Sequence, residues 1–190
     1  MMTPPVTPQA KALKGVLRLS NLDGWSVVVI AGLSFLLTLV TWELLGLAVS
    51  ALVLTGGVME LRGRRALQRR DAETGMRLLV RAQLLIVTVI LVYCARCLGS
   101  FDAGYLKDEV IPEANQMLQA VLGINLNDFL ADSGMTVDDL VPLAHRAFLL
   151  LYGTVALVSL LFQGGLALYY RSRTKLVTEA LSVPPQPPLA

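Results

Sequence analysis

The sequence predicts an all-α integral membrane protein with four transmembrane helices and a small helical cap outside the membrane. Hydrophobic residues make up 55% of the 190 residues and charged residues 16%, whereas soluble proteins average about 45–50% and about 25%. The mean hydropathy is +0.63. A water-soluble chain of this size cannot bury so much apolar surface, so lipid must form part of its solvent.

Charge and residue usage exclude several classes of function. The net charge of +2 is too mild to indicate a nucleic-acid partner. Two cysteines cannot form a disulfide framework, and two cysteines with one histidine are a poor basis for a metal site. The sequence has no Gly-rich phosphate loop and no spacing that indicates a catalytic Ser/His/Asp set. We therefore expect no enzymatic activity, no cofactor and no nucleic-acid partner.

The first two spans are predicted to form a tight hairpin over residues 25–61. No charged residue lies between Trp25 and Trp42, and their separation corresponds to about 25 Å of helix, which suits two interfacial belts. The second apolar stretch, 44–59, is the shortest of the four. It approaches the roughly 20 residues that a crossing requires.

A single helix over 25–61 is the alternative to this hairpin. Basic residues lie on both sides of the segment, in the predicted N-terminal tail 1–24 and in the predicted basic loop 62–78. One crossing would place these flanks on opposite sides of the membrane, against the positive-inside rule. A turn near Trp42 and Glu43 places both flanks inside, so the charges favour the hairpin.

A cleaved signal peptide is a second rival for the first stretch. Small residues at 48–50 would allow cleavage after Ser50. The apolar run is longer than the usual 7–15 residues, however, and continues directly past that point. We therefore interpret it as a span.

The rest of the chain agrees with four crossings and with both termini in the cytoplasm. Residues 100–145 hold eight acidic residues and one lysine, which predicts an extracytoplasmic position. The remaining segments are span 3 at 79–99, span 4 at 146–170 and a Pro-rich cytoplasmic tail at 171–190. The predicted location is the inner membrane of a bacterial cell.

The outer segment 100–145 has the pattern of a helical cap. Apolar residues recur at helical spacing from Glu113 to Leu122, after Pro112 and before Gly123. A second short helix is expected near 127–132. We expect these helices to lie on the outer membrane surface with their apolar faces down.

The last helix of the cap is expected to lead into span 4. Thr136 with Asp138 and Asp139 has the pattern of a helix N-cap. Pro142 follows, and a proline inside a helix is expected to kink or break it.

The predicted membrane interior contains no charged residue. The charged residues that flank the spans can extend their charged groups to the membrane interface by snorkelling. The deepest polar side chains are Gln83 and Gln163. Because ionisable residues inside a bilayer mark ion and proton pathways, this interior argues against a proton- or sodium-coupled transporter working as a monomer.

Two sets of small or hydroxyl residues have helical spacing. Small residues let membrane helices approach closely, and the helix-packing candidates are Gly46, Ser50, Ala51, Thr55, Gly153, Gly164 and Gly165. These candidates fit packing within the bundle or between subunits. A ring of modest polar groups can line a pore, and the pore-stripe candidates on span 1 are Ser34, Thr38 and Thr41. The same hydroxyls also fit bonds to their own helix backbone.

Two further motifs have a structural and a functional interpretation. The arginines after span 2 are candidates for lipid contact or for docking a cytoplasmic partner: Arg62, Arg64, Arg65, Arg69 and Arg70. Cys94 and Cys97 have C-x-x-C spacing, but they lie at the C-terminal end of a helix, where the helix dipole opposes a thiolate. We therefore favour buried, unreactive thiols over a redox pair.

The function that these features favour is an accessory or scaffold subunit of a membrane complex, acting by helix–helix association. Its partners are expected to be the lipid bilayer, other membrane subunits or its own copies, and a cytoplasmic component at the arginines. The alternative from another class is a homo-oligomeric channel or membrane-permeabilising effector.

Overall fold

The computed structural model of the chain describes residues 7–182, and the regular elements of this part are helical. The α-helices are α1 (Pro8–Val40), α2 (Leu44–Gln68), α3 (Ala72–Gly99), α4 (Ala103–Tyr105), α5 (Ile111–Leu122), α6 (Leu126–Asp132) and α7 (Val137–Ser182), and a π-helical segment (Leu106–Val110) joins α4 to α5. Four of these helices, α1, α2, α3 and α7, are long and apolar enough to cross a membrane. The predicted all-α fold with four transmembrane helices is therefore confirmed.

The chain divides into two compact units. Among the described residues, the first unit comprises 7–92 and 158–182, and the second comprises 93–157. Helices α3 and α7 contribute residues to both.

The predicted hairpin of the first two spans is present. Helix α1 ends at Val40 and α2 begins at Leu44, so the two are separate helices joined by a three-residue turn. Trp42 has a left-handed backbone conformation, with φ of 55°, which non-glycine residues adopt rarely. Arg70 has the same kind of conformation, with φ of 66°, in the short turn between α2 and α3.

Helix α1 extends well beyond the predicted start of the first span. It begins at Pro8, and the Thr7 side chain accepts a hydrogen bond from the backbone N–H of Ala10, as an N-cap residue does. Residues 8–24 of the predicted N-terminal tail 1–24 are therefore helical and continuous with the first span. Hydropathy marked only the apolar half of this helix, whereas the polar half also buries one face.

Helices α2, α3 and α7 are also longer than the predicted spans, at their ends near the arginines 62–77 and 171–173. Helix α2 runs on to Gln68 and α3 begins at Ala72, so the predicted basic loop 62–78 shrinks to a three-residue turn. Helix α7 continues to Ser182, through most of the predicted tail 171–190; residues 183–190 lie outside the described part of the chain. A buried apolar cluster explains these extensions: Val16, Leu67, Met76, Leu79, Leu166, Tyr170 and Val177.

The second unit contains the predicted cap helices. Helix α5 has Pro112 in its first turn and ends at Gly123, which has φ of 69° and can adopt this left-handed conformation without strain. Helix α6 covers the second predicted position, and α4 with the π-helical segment was not predicted. Pro142 lies inside α7 without ending it, so the predicted break is absent.

Candidate functional site

Four polar side chains, one from each long helix, meet inside the first unit. They are Asp23 of α1, Glu60 of α2, Gln83 of α3 and Tyr170 of α7. Asp23 is 7% exposed and the other three are fully buried. We refer to these four residues as the polar junction, and to Asp23 and Glu60 as the carboxyl pair.

Hydrogen bonds connect the whole polar junction. The Gln83 side-chain Nε2 donates to Oδ2 of Asp23 at 2.7 Å and to Oε2 of Glu60 at 2.8 Å. The Tyr170 hydroxyl donates to Oε1 of Glu60 at 2.7 Å. The two carboxyl groups also lie close enough to interact electrostatically. One amide therefore bridges two acidic side chains from different helices.

A glycine lets α1 and α2 approach closely enough to form the carboxyl pair. A Cβ atom on Gly24 would lie 2.9 Å from Cδ2 of Leu61, which is closer than side-chain atoms pack. Gly24 and Leu61 directly follow the members of the carboxyl pair in the sequence. The absence of a side chain at Gly24 therefore places the pair at close range.

The burial of the carboxyl pair was not expected from the sequence. Asp23 falls in the predicted N-terminal tail 1–24 and Glu60 directly follows the second apolar stretch 44–59, yet both are buried between helices. The expectation against a proton- or sodium-coupled transporter considered only charges within the apolar spans, so it does not apply to a pair of acidic groups that helices enclose. Gln83 and Gln163, which the sequence predicts to be the deepest polar side chains of the spans, are buried in the structure, at 0% and 8% exposed.

Some buried polar atoms in the described part of the chain have no hydrogen-bond partner. They include Oε1 of Gln83, which belongs to the polar junction, and Oε1 of Gln163 on α7. The third is Nε of Arg64, one helical turn after Glu60 on α2. Unpaired buried polar atoms are rare in folded proteins and indicate a strained or functional position.

The helix-packing candidates on α2 are used within the chain. A Cβ on Gly46 would lie 2.6 Å from Cγ2 of Thr38 on α1, so the two helices touch there. The Ser50 hydroxyl donates to the Gly46 carbonyl at 2.7 Å, and the Thr55 hydroxyl donates to the Ala51 carbonyl at 2.8 Å. Gly46 and Ser50 therefore contribute to the contact with α1, whereas Thr55 is exposed and bonds only within α2.

The helix-packing candidates on α7 are not used in this way. A Cβ on Gly153 or Gly165 would meet nothing within 4 Å, and one on Gly164 would meet only Leu160 of the same helix, at 3.9 Å. These three glycines of α7 therefore have no packing partner on another helix among the described residues.

Two of the three pore-stripe candidates bond mainly to their own helix. The Thr38 hydroxyl donates to the Ser34 backbone carbonyl at 3.0 Å and lies 3.5 Å from the Ser50 hydroxyl. The Thr41 hydroxyl donates to the Leu37 carbonyl at 3.2 Å. Thr38 and Thr41 therefore fit the backbone-bonding interpretation.

The five arginine candidates lie together at the end of α2 and in the following turn. Arg62, Arg65, Arg69 and Arg70 are exposed, and Arg64 is half-buried. Arg64 lines a groove of about 490 Å³ with Lys14 and Arg18 of α1. A second groove, of about 520 Å³, is lined by Arg77 and Arg81 of α3 and by Arg171 of α7.

Cys94 and Cys97 are not bonded to each other. Both thiols are free, with Cys94 buried and Cys97 half-buried near the end of α3. His145 is the only histidine of the chain, and its ring stacks on Phe101 with the ring centroids 4.5 Å apart. His145 lies in the second unit and forms no ion pair within residues 7–182.

No family model, no curated protein and no solved structure matches the chain. Two structural features bear on its function: the polar junction inside the first unit and the unpacked surface of α7.

Proposed function

We propose that this chain is an accessory or scaffold subunit of a membrane complex and acts by helix–helix association. The single observation that carries this proposal is the unpacked small-residue surface of α7. Membrane helices associate through small residues that let two backbones approach. On α2, Gly46 and Ser50 contact Thr38 of α1, whereas the α7 glycines Gly153, Gly164 and Gly165 meet no other helix among the described residues.

The associating surface lies within the first unit, on the α7 residues Leu161, Gly165 and Leu168. These positions are spaced i, i+4 and i+7, so they share one face of the helix. Leu161 is 67% exposed and Leu168 is 68% exposed. Leu166 and Tyr170 are buried on the other face, so α7 packs into its own bundle through one face only. We call the exposed set the α7 face.

The occupant that we propose for the α7 face is a transmembrane helix of another subunit. Gly165 forms a notch between two leucines, and a bulky side chain of a facing helix would fill it. A ring of copies around an aqueous pore would require a polar face instead. The hydroxyls of Thr38 and Thr41 bond within their own helix, which favours the accessory subunit over the homo-oligomeric channel.

Photocrosslinking through the α7 face tests this proposal. We expect a photoreactive amino acid in place of Leu168 to yield one discrete adduct with a different protein in the cells that naturally make this chain. Gly165→Leu should reduce that adduct about 5- to 30-fold, because filling the notch removes packing worth roughly 1–2 kcal/mol. The adduct is measured by mass and by peptide identification.

The matched control carries the same photoreactive group in place of Leu84 on α3, which is 51% exposed. This position should yield lipid adducts only. Lipid adducts alone from Leu168 would contradict the proposal. An adduct between two copies, together with ion flux through liposomes that contain the purified protein, would establish the channel instead.

The arginine candidates would provide a second contact on the cytoplasmic side. Arg62, Arg65 and Arg69 are exposed at the end of α2, where they suit anionic lipid headgroups or an acidic surface of a cytoplasmic partner. This contact would fix the depth and the rotation of the bundle, while the α7 face selects the partner helix.

We further propose that both termini lie in the cytoplasm of a bacterial cell and that the cap lies outside the inner membrane. The basic end of α2 and the acidic segment 100–145 support this orientation through the positive-inside rule. The chain offers exposed positions at both places. Val121 of α5 is 73% exposed, and Gln68 at the end of α2 is exposed.

Cysteine labelling tests this orientation. In a variant with Cys94 and Cys97 replaced by alanine, we expect Val121→Cys to react with a membrane-impermeant thiol reagent in intact cells stripped of their outer membrane. Gln68→Cys should react only after the inner membrane is opened, since its side chain lies on the cytoplasmic side. The opposite pattern would reverse the assigned orientation, and the variant without cysteine gives the background.

A further inference from the structure

The carboxyl pair is buried without a positively charged partner. Among residues 7–182, ion pairs join Arg77 to Glu73 and Lys107 to Asp138, and none reaches the pair. Two adjacent carboxylates repel each other, and each costs several kcal/mol when it is buried without a counter-charge. The pair therefore requires a positive charge that the side chains around it do not supply.

The polar junction has fewer hydrogen-bond donors than acceptors. Gln83 gives two hydrogen bonds through Nε2 and Tyr170 gives one through its hydroxyl. The Oε1 atom of Gln83 is fully buried and receives no hydrogen bond. The junction therefore has a surplus of acceptors, and one further O–H donor would fit it. A protonated carboxyl group is such a donor.

The close packing favours a proton over a larger cation. Beside the pair, α1 and α2 pack closely at Gly24 and Leu61. A Cβ atom added to Gly24 would lie only 2.9 Å from Cδ2 of Leu61. Cations such as sodium need several oxygen atoms turned toward them. Here the Gln83 amide and the Tyr170 hydroxyl turn N–H and O–H groups toward the carboxyl oxygens.

We propose that Asp23 and Glu60 form a proton-binding site that holds one proton in common. Gln83 and Tyr170 are positioning residues, since each donates a hydrogen bond that orients a carboxyl group. On binding, a proton adds to one carboxylate oxygen of the pair, and the O–H bond breaks on release. The net charge of the pair changes from −2 to −1, so proton binding relieves the repulsion between α1 and α2.

Few other groups face this site. The α3 helix contributes Gln83, which does not titrate, and α7 contributes Tyr170 with Tyr169 beside it. On α2, Arg64 follows one turn after Glu60 but forms no ion pair with it in the described chain. The carboxyl pair is thus the group that changes charge at this site.

Infrared spectroscopy of the purified full chain in liposomes tests the proposal. At pH 7 we expect the wild-type protein to have a carbonyl band of a protonated carboxyl group that shifts in D₂O. Asp23→Asn and Glu60→Gln should each shift or reduce this band, and the double variant should lose it. The exposed Asp138 provides the matched control, because Asp138→Asn should leave the band unchanged.

Other outcomes would overturn the proposal. A wild-type spectrum without the band at pH 7, or a band that survives in the double variant, would exclude a shared proton. A band that is absent in sodium chloride and appears when choline replaces sodium would assign the site to sodium. Because the wild-type band is itself a readout, the test does not depend on the folding of a variant. It is also independent of the proposed association through the α7 face.

Discussion

Gln83→Leu is expected to lower the free energy of unfolding by about 2–4 kcal/mol. The Gln83 amide donates to both members of the carboxyl pair, and leucine would leave two buried acidic side chains without those hydrogen bonds. Buried polar groups that lose their partner cost about 1–3 kcal/mol each, and charged groups cost more. Equilibrium unfolding of the purified protein in mixed detergent micelles measures this loss.

Gln163→Leu provides the matched control for this substitution. Gln163 is also buried, and its Oε1 has no hydrogen-bond partner among the described residues. Leucine at this position removes an unsatisfied acceptor, so stability should change by less than about 1 kcal/mol or increase. Equal losses in the two variants would contradict a stabilising role of the bridging amide.

The transmembrane organisation was predictable because it depends on local composition. Four apolar runs of sufficient length are visible without tertiary information, and the basic residues on both sides of 25–61 favour the hairpin. The polar halves of the helices were not predictable in the same way. Residues 8–24 are too polar for a hydropathy profile to identify them as part of a long helix. A helical pattern is nevertheless present, because Ala12, Val16 and Ser20 recur every four residues and are all buried.

The polar junction was missed because its members are far apart in the sequence and each has an ordinary local explanation. Asp23 precedes an apolar run and Glu60 follows one, and both positions suit an interface. One signal was available. Asp23 lies 19 residues before Trp42 and Glu60 lies 18 residues after it, so a hairpin that turns at Trp42 places them at the same level.

The position of Gln83 could not have been deduced from this symmetry. It depends on how α3 packs against the hairpin, and glycines determine that packing. A Cβ on Gly56 of α2 would lie 2.5 Å from Cγ1 of Ile86 on α3, so the two helices are nearly in backbone contact. The sequence contains these glycines but does not indicate which helix each one faces.

Gly75→Ala is expected to destabilise the protein by about 2 kcal/mol, although alanine favours a helix over glycine by about 1 kcal/mol. The new Cβ would lie 2.6 Å from Cγ and Cδ2 of Leu67 and 3.0 Å from the Gly63 carbonyl oxygen. Leu67 is 1% exposed, so it has no space to move into. Overpacking of this kind costs about 1–3 kcal/mol, and pushing back the Gly63 backbone adds to it.

Gly32→Ala separates this packing effect from helix propensity, because a Cβ on Gly32 meets nothing within 4 Å. It should leave stability unchanged or raise it by up to about 1 kcal/mol. Gly75→Ala should also cost less in a Leu67→Ala background, where the clashing side chain is absent; this coupling is measured by a double-mutant cycle. If Gly75→Ala and Gly32→Ala had the same effect, α2 and α3 could not be in the close contact that aligns Gln83 with the carboxyl pair.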